Sequence, residues 1–445
     1  MNAAIVRRIL IPLHERLIGR QTLRFLSDME ASQWWPREKL LALQREKLRR
    51  LLQHAHAKTP FHRDRIDKAG INPDSVSLDD LHRLRLLNKA DIAAHLPEMI
   101  DASVTGGLHD CTTGGSTGAP LAFKMDRSRQ AADQAARARS RRWFGIELGE
   151  REAYLWGSPI EQTTGDVIKT VRDRLTNHRL LNAFNMTLQS MASYLTELSR
   201  FDPVNLFGYP SSLSRLVRFG VDSGRPVRNS SLRAVFTTGE LLAPPDRAIL
   251  EEHLGVPVAD GYGSREGGFI AHQCPQGSYH ITMESVIVEL VDSEGHRVEN
   301  GQSGEIVVTH LDAVGMPFIR YRTGDIARRS MGACPCGRGL DTLDLVEGRR
   351  TDALRRADGG YAHALSVIYV LRNEPAVAEF KVTQRRTLDL DVDIVPRGPL
   401  DAASQFRMAQ LLSRQIGGAQ VRLHLTESIT PDPSGKHRHV VSEAT

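Results

Sequence analysis

The chain has 445 residues, four cysteines, 40% hydrophobic residues and a formal net charge of +5. That length predicts two or three domains with a sizeable buried core, and so few cysteines exclude a disulfide-scaffolded secreted fold. No apolar run approaches the roughly 18 residues of a spanning helix, which excludes a helical integral membrane protein.

The charge is unevenly placed: residues 1–68 hold fifteen Lys/Arg against seven Asp/Glu, or +8, so the remainder carries −3. Ile5 to Leu13 is broken by Arg7 and Arg8 and lacks a following small-residue cleavage site, so it does not read as a secretory signal. Val6, Ile9, Leu10, Leu13 and Leu17 recur near helical spacing with Arg7, Arg8, Arg16 and Arg20 between them. Such a helix can lie on anionic lipid. The favoured expectation is plainer: most amphipathic helices bury their stripe on their own protein, and Pro12 should interrupt this one. Nucleic acid is not an expected partner. Cations alternate with acids in Arg37-Glu38-Lys39 and Arg45-Glu46-Lys47, the pattern of a solvated helix face.

Farther on, Arg37 to Ala57 reads as one helix, with Leu40, Leu41, Leu48, Leu51 and Leu52 at helical intervals, ended by Thr59-Pro60. A second helical region is expected over Ser77 to Met99. From about 150 to 330, β-branched runs (Ala234 to Thr237, Val286 to Val291, Glu305 to Thr309) alternate with helical stretches such as Pro244 to Leu254. That alternation predicts an α/β core. After Gly348 the character changes to strands near Ala376–Val382 and Leu388–Val395, a helix over Ala402–Gln415 and a strand over Gln420–Leu425. The expected organisation is a basic helical arm, 1–68, forming part of a large α/β domain that continues over 69–347. A small mobile α+β domain, 348–445, is hinged at Gly348.

Four stretches carry possible chemistry. In Thr112 to Pro120, glycines let successive N–H groups face one concavity, and the hydroxyls of Thr113, Ser116 and Thr117 add donors suited to phosphate. No Lys-Ser/Thr follows, so it is not a Walker loop. Gly114-Gly115-Ser116-Thr117-Gly118 matches the string of a nucleophile elbow, but the strand-before, helix-after context is missing. Asp260 to Glu266 offers an aromatic, Tyr262, between glycines and then a carboxylate; the ring can stack a base and the carboxylate can hold Mg2+. Asp325, set by the turn at Gly324, can accept both ribose hydroxyls. Lys436, on the Pro433-Ser434-Gly435 turn, can aim a mobile cation at developing negative charge. Taken singly, each also reads as an ordinary polar turn.

Their order and separation resemble the adenylate-forming superfamily of acyl-CoA synthetases, adenylation domains and luciferases, over nearly the whole chain. Gln44 to Arg50, His54-Ala55, Thr59-Pro60-Phe61, Thr238 to Leu241 and Cys334-Pro335-Cys336-Gly337 are similar to its phenylacetate-CoA ligase branch, in particular the capsular-polysaccharide-associated members. The resemblance implies that Thr113, Gly115, Ser116, Thr117 and Gly118 hold the β- and γ-phosphates of ATP. It implies that Gly239, Glu240, Tyr262 and Gly263 border the adenine, with Ser264 near the α-phosphate. Glu266 would ligate Mg2+, Asp325 would hold the ribose, and Arg349 would sit beside the nucleotide at the hinge. Lys436 would bridge carboxylate and α-phosphate and then swing away, so Lys436, Glu266 and Thr117 are the implied catalytic residues. Trp156, Tyr209 and Phe236 are expected walls of the acyl pocket. Two departures stand out: Ala119-Pro120-Leu121 ends the phosphate loop where a lysine and proline are frequent, and Thr351 occupies a hinge position where an Asp is frequent, leaving Asp352 as the nearby carboxylate.

The expected activity is ATP-dependent activation of a small carboxylic acid as an acyl-adenylate, then a CoA thioester. Transfer to an amine, hydroxyl or carrier protein is the alternative acceptor chemistry, and a non-catalytic nucleotide-binding relic the alternative from another class. Cys274, His280, Cys334 and Cys336 could form a Cys3His zinc site, although Cys-x-Cys is tighter than a usual knuckle and three reduced thiols are the simpler account. A cytoplasmic location follows, peripheral to the inner membrane face if the arm touches lipid. Because that arm lies outside every nucleotide motif, deleting residues 1–30 is expected to spare the chemistry unless the fold itself fails.

Overall fold

The computed structural model describes residues 1–112, 121–157, 172–183, 186–227, 230–299, 301–330, 332–349, 353–355, 361–363, 367–368, 370–371, 374–430 and 439–444. The chain divides between Glu347 and Gly348 into two compact units. The first has mixed α/β architecture. Leu108–Thr112 (β1) pairs antiparallel with Ala122–Asp126 (β2). The following strands are Glu152–Trp156 (β3), His178–Asn182 (β4), Asn205–Gly208 (β5), Ala234–Thr238 (β6), Val258–Ser264 (β7), Gly268–Gln273 (β8), Tyr279–Ile281 (β9), Val286–Val291 (β10), Ser303–His310 (β11), Tyr321–Arg329 (β12) and Thr342–Arg349 (β13). They form one sheet of 11 strands in the order β10-β11-β12-β13-β9-β8-β7-β6-β5-β3-β4.

The sheet has two characters. From β4 to β7 neighbouring strands are parallel. β5, β6 and the start of β7 are short buried runs reached through helices, as parallel strands covered on both faces should be. Helices Leu188–Phe201, Pro210–Asp222 and Pro244–Leu254 drive Leu195, Leu198, Leu213, Leu216 and Leu250 against Leu155, Leu206, Val235 and Val258. From β7 onward the defined pairings are antiparallel. A bulge at Tyr262/Gly263 begins that half.

Two helical layers lock onto this sheet. Helix Arg127–Arg142 presents Ala131, Ala132, Ala135, Ala136 and Ala138, a small-residue face that admits Leu26 and Met29 of helix Thr22–Ser32. Helix Arg37–Lys58 buries Leu40 against the antiparallel half and Leu48, Leu51, Leu52 and Ala55 in a neighbouring core. Gln44 lies between these leucines. Its amide donates to the carbonyls of Met283 and Val286, each at 2.9 Å, so burial leaves it satisfied.

Two sequence expectations are corrected. Ser77 to Met99 is not one helical region but a 3-10 turn at Asp79–Arg83, a short helix at Lys89–His95 and a 3-10 turn at Leu96–Met99. Leu87 interrupts it by bridging to Tyr321: its N–H donates to Arg320 O at 2.8 Å, and Arg322 N–H donates to Leu87 O at 2.9 Å. The second concerns the arm. Pro12 does not break the helical run, because Val6–Leu10 is π-helical and Pro12 falls in the first turn of Ile11–Leu17, where a missing N–H costs nothing. Only Val6 of the predicted stripe is buried; Ile9, Leu13 and Leu17 are exposed, the last by 77%. No helix among the described residues is long and apolar enough to cross a membrane.

The second unit has its own core. Val377–Gln384 (β16) pairs antiparallel with Leu390–Pro396 (β17); Val421–Leu425 (β18) and Val440–Ser442 (β19) add parallel edges, giving the order β18-β17-β16-β19. The preceding Ala353–Arg355 (β14) and Tyr361–His363 (β15) form a separate pair. Helix Ala402–Gln415 contributes Met408 and Leu412 to a cluster with Phe380, Val382, Val392 and Ile394.

Candidate active site

The site grows from the turn between β7 and β8. Gly263 is obligatory there, since a Cβ on it would stand 2.4 Å from the Gly268 carbonyl oxygen. Ser264 closes the turn by accepting the Gly267 N–H at 2.8 Å. Arg129, fully buried, donates to the carbonyls of Arg265 and Glu266, both at 2.6 Å, and so fixes the backbone on which Glu266 is mounted. Arg265 reaches back to the carbonyl of Thr112 at 3.0 Å. It thereby ties this turn to the strand leading into the Thr/Gly motif.

Tyr262 donates its hydroxyl to Asp325 Oδ2 at 2.8 Å. In the sheet order β8, β9 and β13 separate their strands. Four strand spacings in a flat sheet would be about 19 Å, so the antiparallel half must curl until β7 and β12 face each other. Thr323 Oγ1 sets the Asp325 end by donating to Ile306 O at 2.9 Å while accepting the Asp325 N–H at 3.1 Å. Gly324 takes a left-handed φ of +80° inside β12, where the pairing with β11 slips register, so the turn expected there is an irregularity within the strand.

Glu266 is buried. Its Oε1 accepts the Tyr321 hydroxyl at 3.2 Å and lies 3.7 Å from Lys89 Nζ. Lys89 escaped the sequence reading. The Asn88/Asp91 capping box that starts its helix is visible in sequence, but the Leu87–Tyr321 bridge that carries Lys89 to Glu266 is not. Among the described residues, Oε2 of Glu266 takes no hydrogen bond. A buried carboxylate with one oxygen engaged fits a hard divalent cation.

The expected pocket walls lie along the parallel strands next to β7. Trp156 and Tyr209 stack with centroids 4.1 Å apart, and a Cβ on Gly239 would meet Tyr209 Cε1 at 3.1 Å. Gly239, at φ +80°, therefore fits against the stacked rings, with Glu240 following it half-buried. Phe236 lines a small cleft with Phe207, Thr237, Gly261, Arg137 and Arg141. Behind that cleft, Asp260 accepts from Thr237 at 2.5 Å and from Tyr279 at 2.6 Å. Burial raises its carboxyl to about 6 against those hydrogen bonds and the pull of Arg247. Burial likewise lowers His272 to about 3, helped by Arg139 and Arg141, so it stays neutral.

The structure thus brings Tyr262, Gly263, Ser264, Glu266 and Asp325 together, with Gly239 against Trp156 and Tyr209. Thr113, Gly115, Ser116, Thr117, Gly118 and Lys436 lie outside the described residues, and Arg349 is placed only by its backbone at the end of β13. Cys274, His280, Cys334 and Cys336 form a second cluster, their ligand atoms all within 4.8 Å of one another. Cys111 stands apart and is half-buried.

A sheet that is parallel on one side and curled antiparallel on the other, with a small separate C-terminal unit, is the architecture of adenylate-forming enzymes. The chain belongs to the AMP-binding enzyme family, which matches residues 42–312. It is similar to a phenylacetate-coenzyme A ligase of Thermus thermophilus, 29% identical over 86% of this chain and 84% of that protein. It is also similar to Protein CapK of Staphylococcus aureus, 20% identical over 91% and 89%. In fold it matches a crystal structure of 2-hydroxyisobutyryl-CoA ligase in the postadenylation state, with a TM-score of 0.74 and 21% identity over 93% of this chain and 91% of that one.

Proposed function

We propose that this protein is an AMP-forming acid–thiol ligase. It joins a small carboxylic acid to the α-phosphate of ATP, releasing pyrophosphate, and then transfers the acyl group to coenzyme A, releasing AMP. The observation that carries the reading is the convergence of Tyr262, Asp325 and buried Glu266, from the β7–β8 region and the facing strand β12 of one curled sheet. Family membership and the CoA ligases among the relatives support it.

In the first step a carboxylate oxygen attacks the α-phosphorus and the bond to pyrophosphate breaks. In the second, the CoA thiolate attacks the acyl carbonyl and AMP leaves. The first step brings anions together, so catalysis is mainly positioning and charge stabilisation. Tyr262 and Gly239 border the base, and Asp325 accepts from the ribose. The 113–118 segment cradles the phosphates, and Glu266 would hold Mg2+. When bound, that ion neutralises phosphate charge. Lys436 contributes its cation to the first step alone. The stacked Trp156 and Tyr209, with Phe236, shape the acyl side. Pyrophosphate release with a panel of aryl and alkyl acids, with and without CoA, tests the assignment. Acid-dependent release followed by CoA-dependent thioester supports it; ATP turnover indifferent to every acid overturns it.

Dependence on ATP and CoA supports a cytoplasmic location. Contact with the inner membrane face has its own support. Ile5, Ile9, Leu13 and Leu17 are exposed at four-residue spacing, and exposed Arg8 and Arg16 accompany them. An apolar stripe flanked by cations suits an anionic lipid surface.

A further inference from the structure

Three thiols and an imidazole without a part in the nucleotide chemistry meet at the opposite end of β8 from Glu266. Cys274 follows β8, His280 lies in β9, and Cys334 and Cys336 occupy the loop between β12 and β13. The two cysteine segments share one design. Cys274 to Gly277 is a turn closed by the Gly277 N–H on Cys274 O at 2.8 Å; Cys334 to Gly337 is closed by the Gly337 N–H on Cys334 O at 3.1 Å. Both closing glycines take left-handed φ, +83° and +79°. Each turn therefore needs its glycine and folds its cysteine sulfur toward the other.

We propose that this cluster is a structural zinc site. Cys274 Sγ and Cys334 Sγ are 3.7 Å apart, and Cys336 Sγ lies 3.2 Å from His280 Nε2. Tetrahedral zinc, with bonds of about 2.3 Å to sulfur and about 2.0–2.1 Å to nitrogen, spaces such atoms roughly 3.5–3.8 Å apart. The observed pairs sit near those edges. A donor set of three sulfurs and one nitrogen selects zinc over the oxygen-seeking magnesium and calcium. Four protein ligands leave no open position for water or substrate, so the role is structural. Cys274, Cys334 and His280 are buried, and Cys336 is half-buried.

The surroundings suit the charge and fix the imidazole. Zinc with three thiolates leaves one net negative charge, and Arg338 follows two positions after Cys336. Its guanidinium lies 4.5 Å from the Trp143 ring centroid, and Trp143 packs edge-on to His280 with centroids 5.7 Å apart. Arg338 Nε also donates to Gln33 Oε1 at 3.0 Å, and the Gly339 N–H donates to Gln33 O at 2.9 Å. The site would thus clip together the ends of β8 and β12 that lie away from the nucleotide motifs, and join both to the end of helix Thr22–Ser32, which Gln33 caps. Tyr279, between the two ligand segments, bonds Asp260 behind the adenine motif, so the clip braces the floor on which Tyr262 sits.

Metal analysis of the full-length protein purified without added metal or chelator tests this directly. One zinc per chain is expected, lost in the Cys334→Ser/Cys336→Ser double variant. Zinc retained at full stoichiometry in that variant, or absent from the wild type, overturns the proposal, as does a Cys274–Cys334 disulfide found by mass spectrometry. If the double variant does not fold, cobalt-exchanged wild-type protein decides. Intense tetrahedral ligand-field bands with sulfur-to-cobalt charge transfer support the site, and a cobalt spectrum without thiolate bands overturns it. Neither readout depends on catalysis.

Discussion

The Tyr262 hydroxyl and Asp325 Oδ2 stand 2.8 Å apart although 63 positions separate the residues in the chain. The contact closes the curl of the antiparallel strands and sets the aromatic of one motif beside the carboxylate of another. Removing only the hydroxyl, in Tyr262→Phe, keeps the ring and loses one hydrogen bond worth about 1 kcal/mol. KM for ATP in pyrophosphate release should rise about fivefold with kcat nearly unchanged. Asp325→Ala, which also loses the ribose acceptor, should raise it further. Equal effects of the two substitutions, or a loss confined to kcat, would contradict the assigned roles.

Lys436 should act in one half-reaction only. Lys436→Ala is expected to slow adenylation by about 10²–10³-fold, as loss of a preorganised charge-stabilising donor does. Thioester formation from a supplied acyl-adenylate and CoA should persist near the wild-type rate. Equal loss in both half-reactions, measured separately by single-turnover kinetics, would remove the lysine from its assigned step.

Asp260 gives the fold a pH signature. Its carboxyl is raised by burial to about 6, so the neutral form is the one the fold favours. The associated stability is fully present below the ordinary carboxyl range near pH 4 and is lost as pH rises through about 6. Asp260→Asn stays neutral throughout. The stability of wild type relative to that variant should therefore fall by about 3 kcal/mol between pH 4 and pH 8. Denaturant melts at several pH values measure it; a difference independent of pH would refute the assignment.

The arm divides at Gln21. Removing residues 1–30 would take Leu26 and Met29 out of the alanine face of helix Arg127–Arg142, a loss of about 2–5 kcal/mol for each side chain. For residues 21–30 the condition attached to that deletion, that the fold survive it, is the one at risk. Deletion of 1–20 should retain acid-dependent pyrophosphate release and abolish co-sedimentation with phosphatidylglycerol vesicles. Ile9→Glu/Leu13→Glu in the full chain should weaken that binding roughly tenfold or more. Neutral phosphatidylcholine vesicles should bind little of either. Unchanged sedimentation of the double variant would remove lipid as the partner of the stripe.

Local periodicity and turn chemistry made most elements legible. Ala402–Gln415, Pro244–Leu254 and the strand beginning at Ala234 are read from sequence because their spacing and caps agree with their environment. The misreadings arose where a distant partner decided the outcome. Leu87 leaves a helical context to pair with Tyr321, and the widened turn at Val6–Leu10 accommodates Pro12. At the site, residue types were legible through ordered motifs. The Lys89–Glu266 proximity and the Tyr262–Asp325 bond depend on sheet curl, which no local window contains.

The central claim is a two-step reaction through an acyl-adenylate. The most direct test incubates the protein with α-phosphate-labelled ATP, Mg2+ and an accepted acid, first without CoA. The account predicts labelled acyl-adenylate that converts to labelled AMP with matching thioester when CoA is added. Label recovered in ADP, or no acyl-adenylate with any acid that supports ATP turnover, would contradict it.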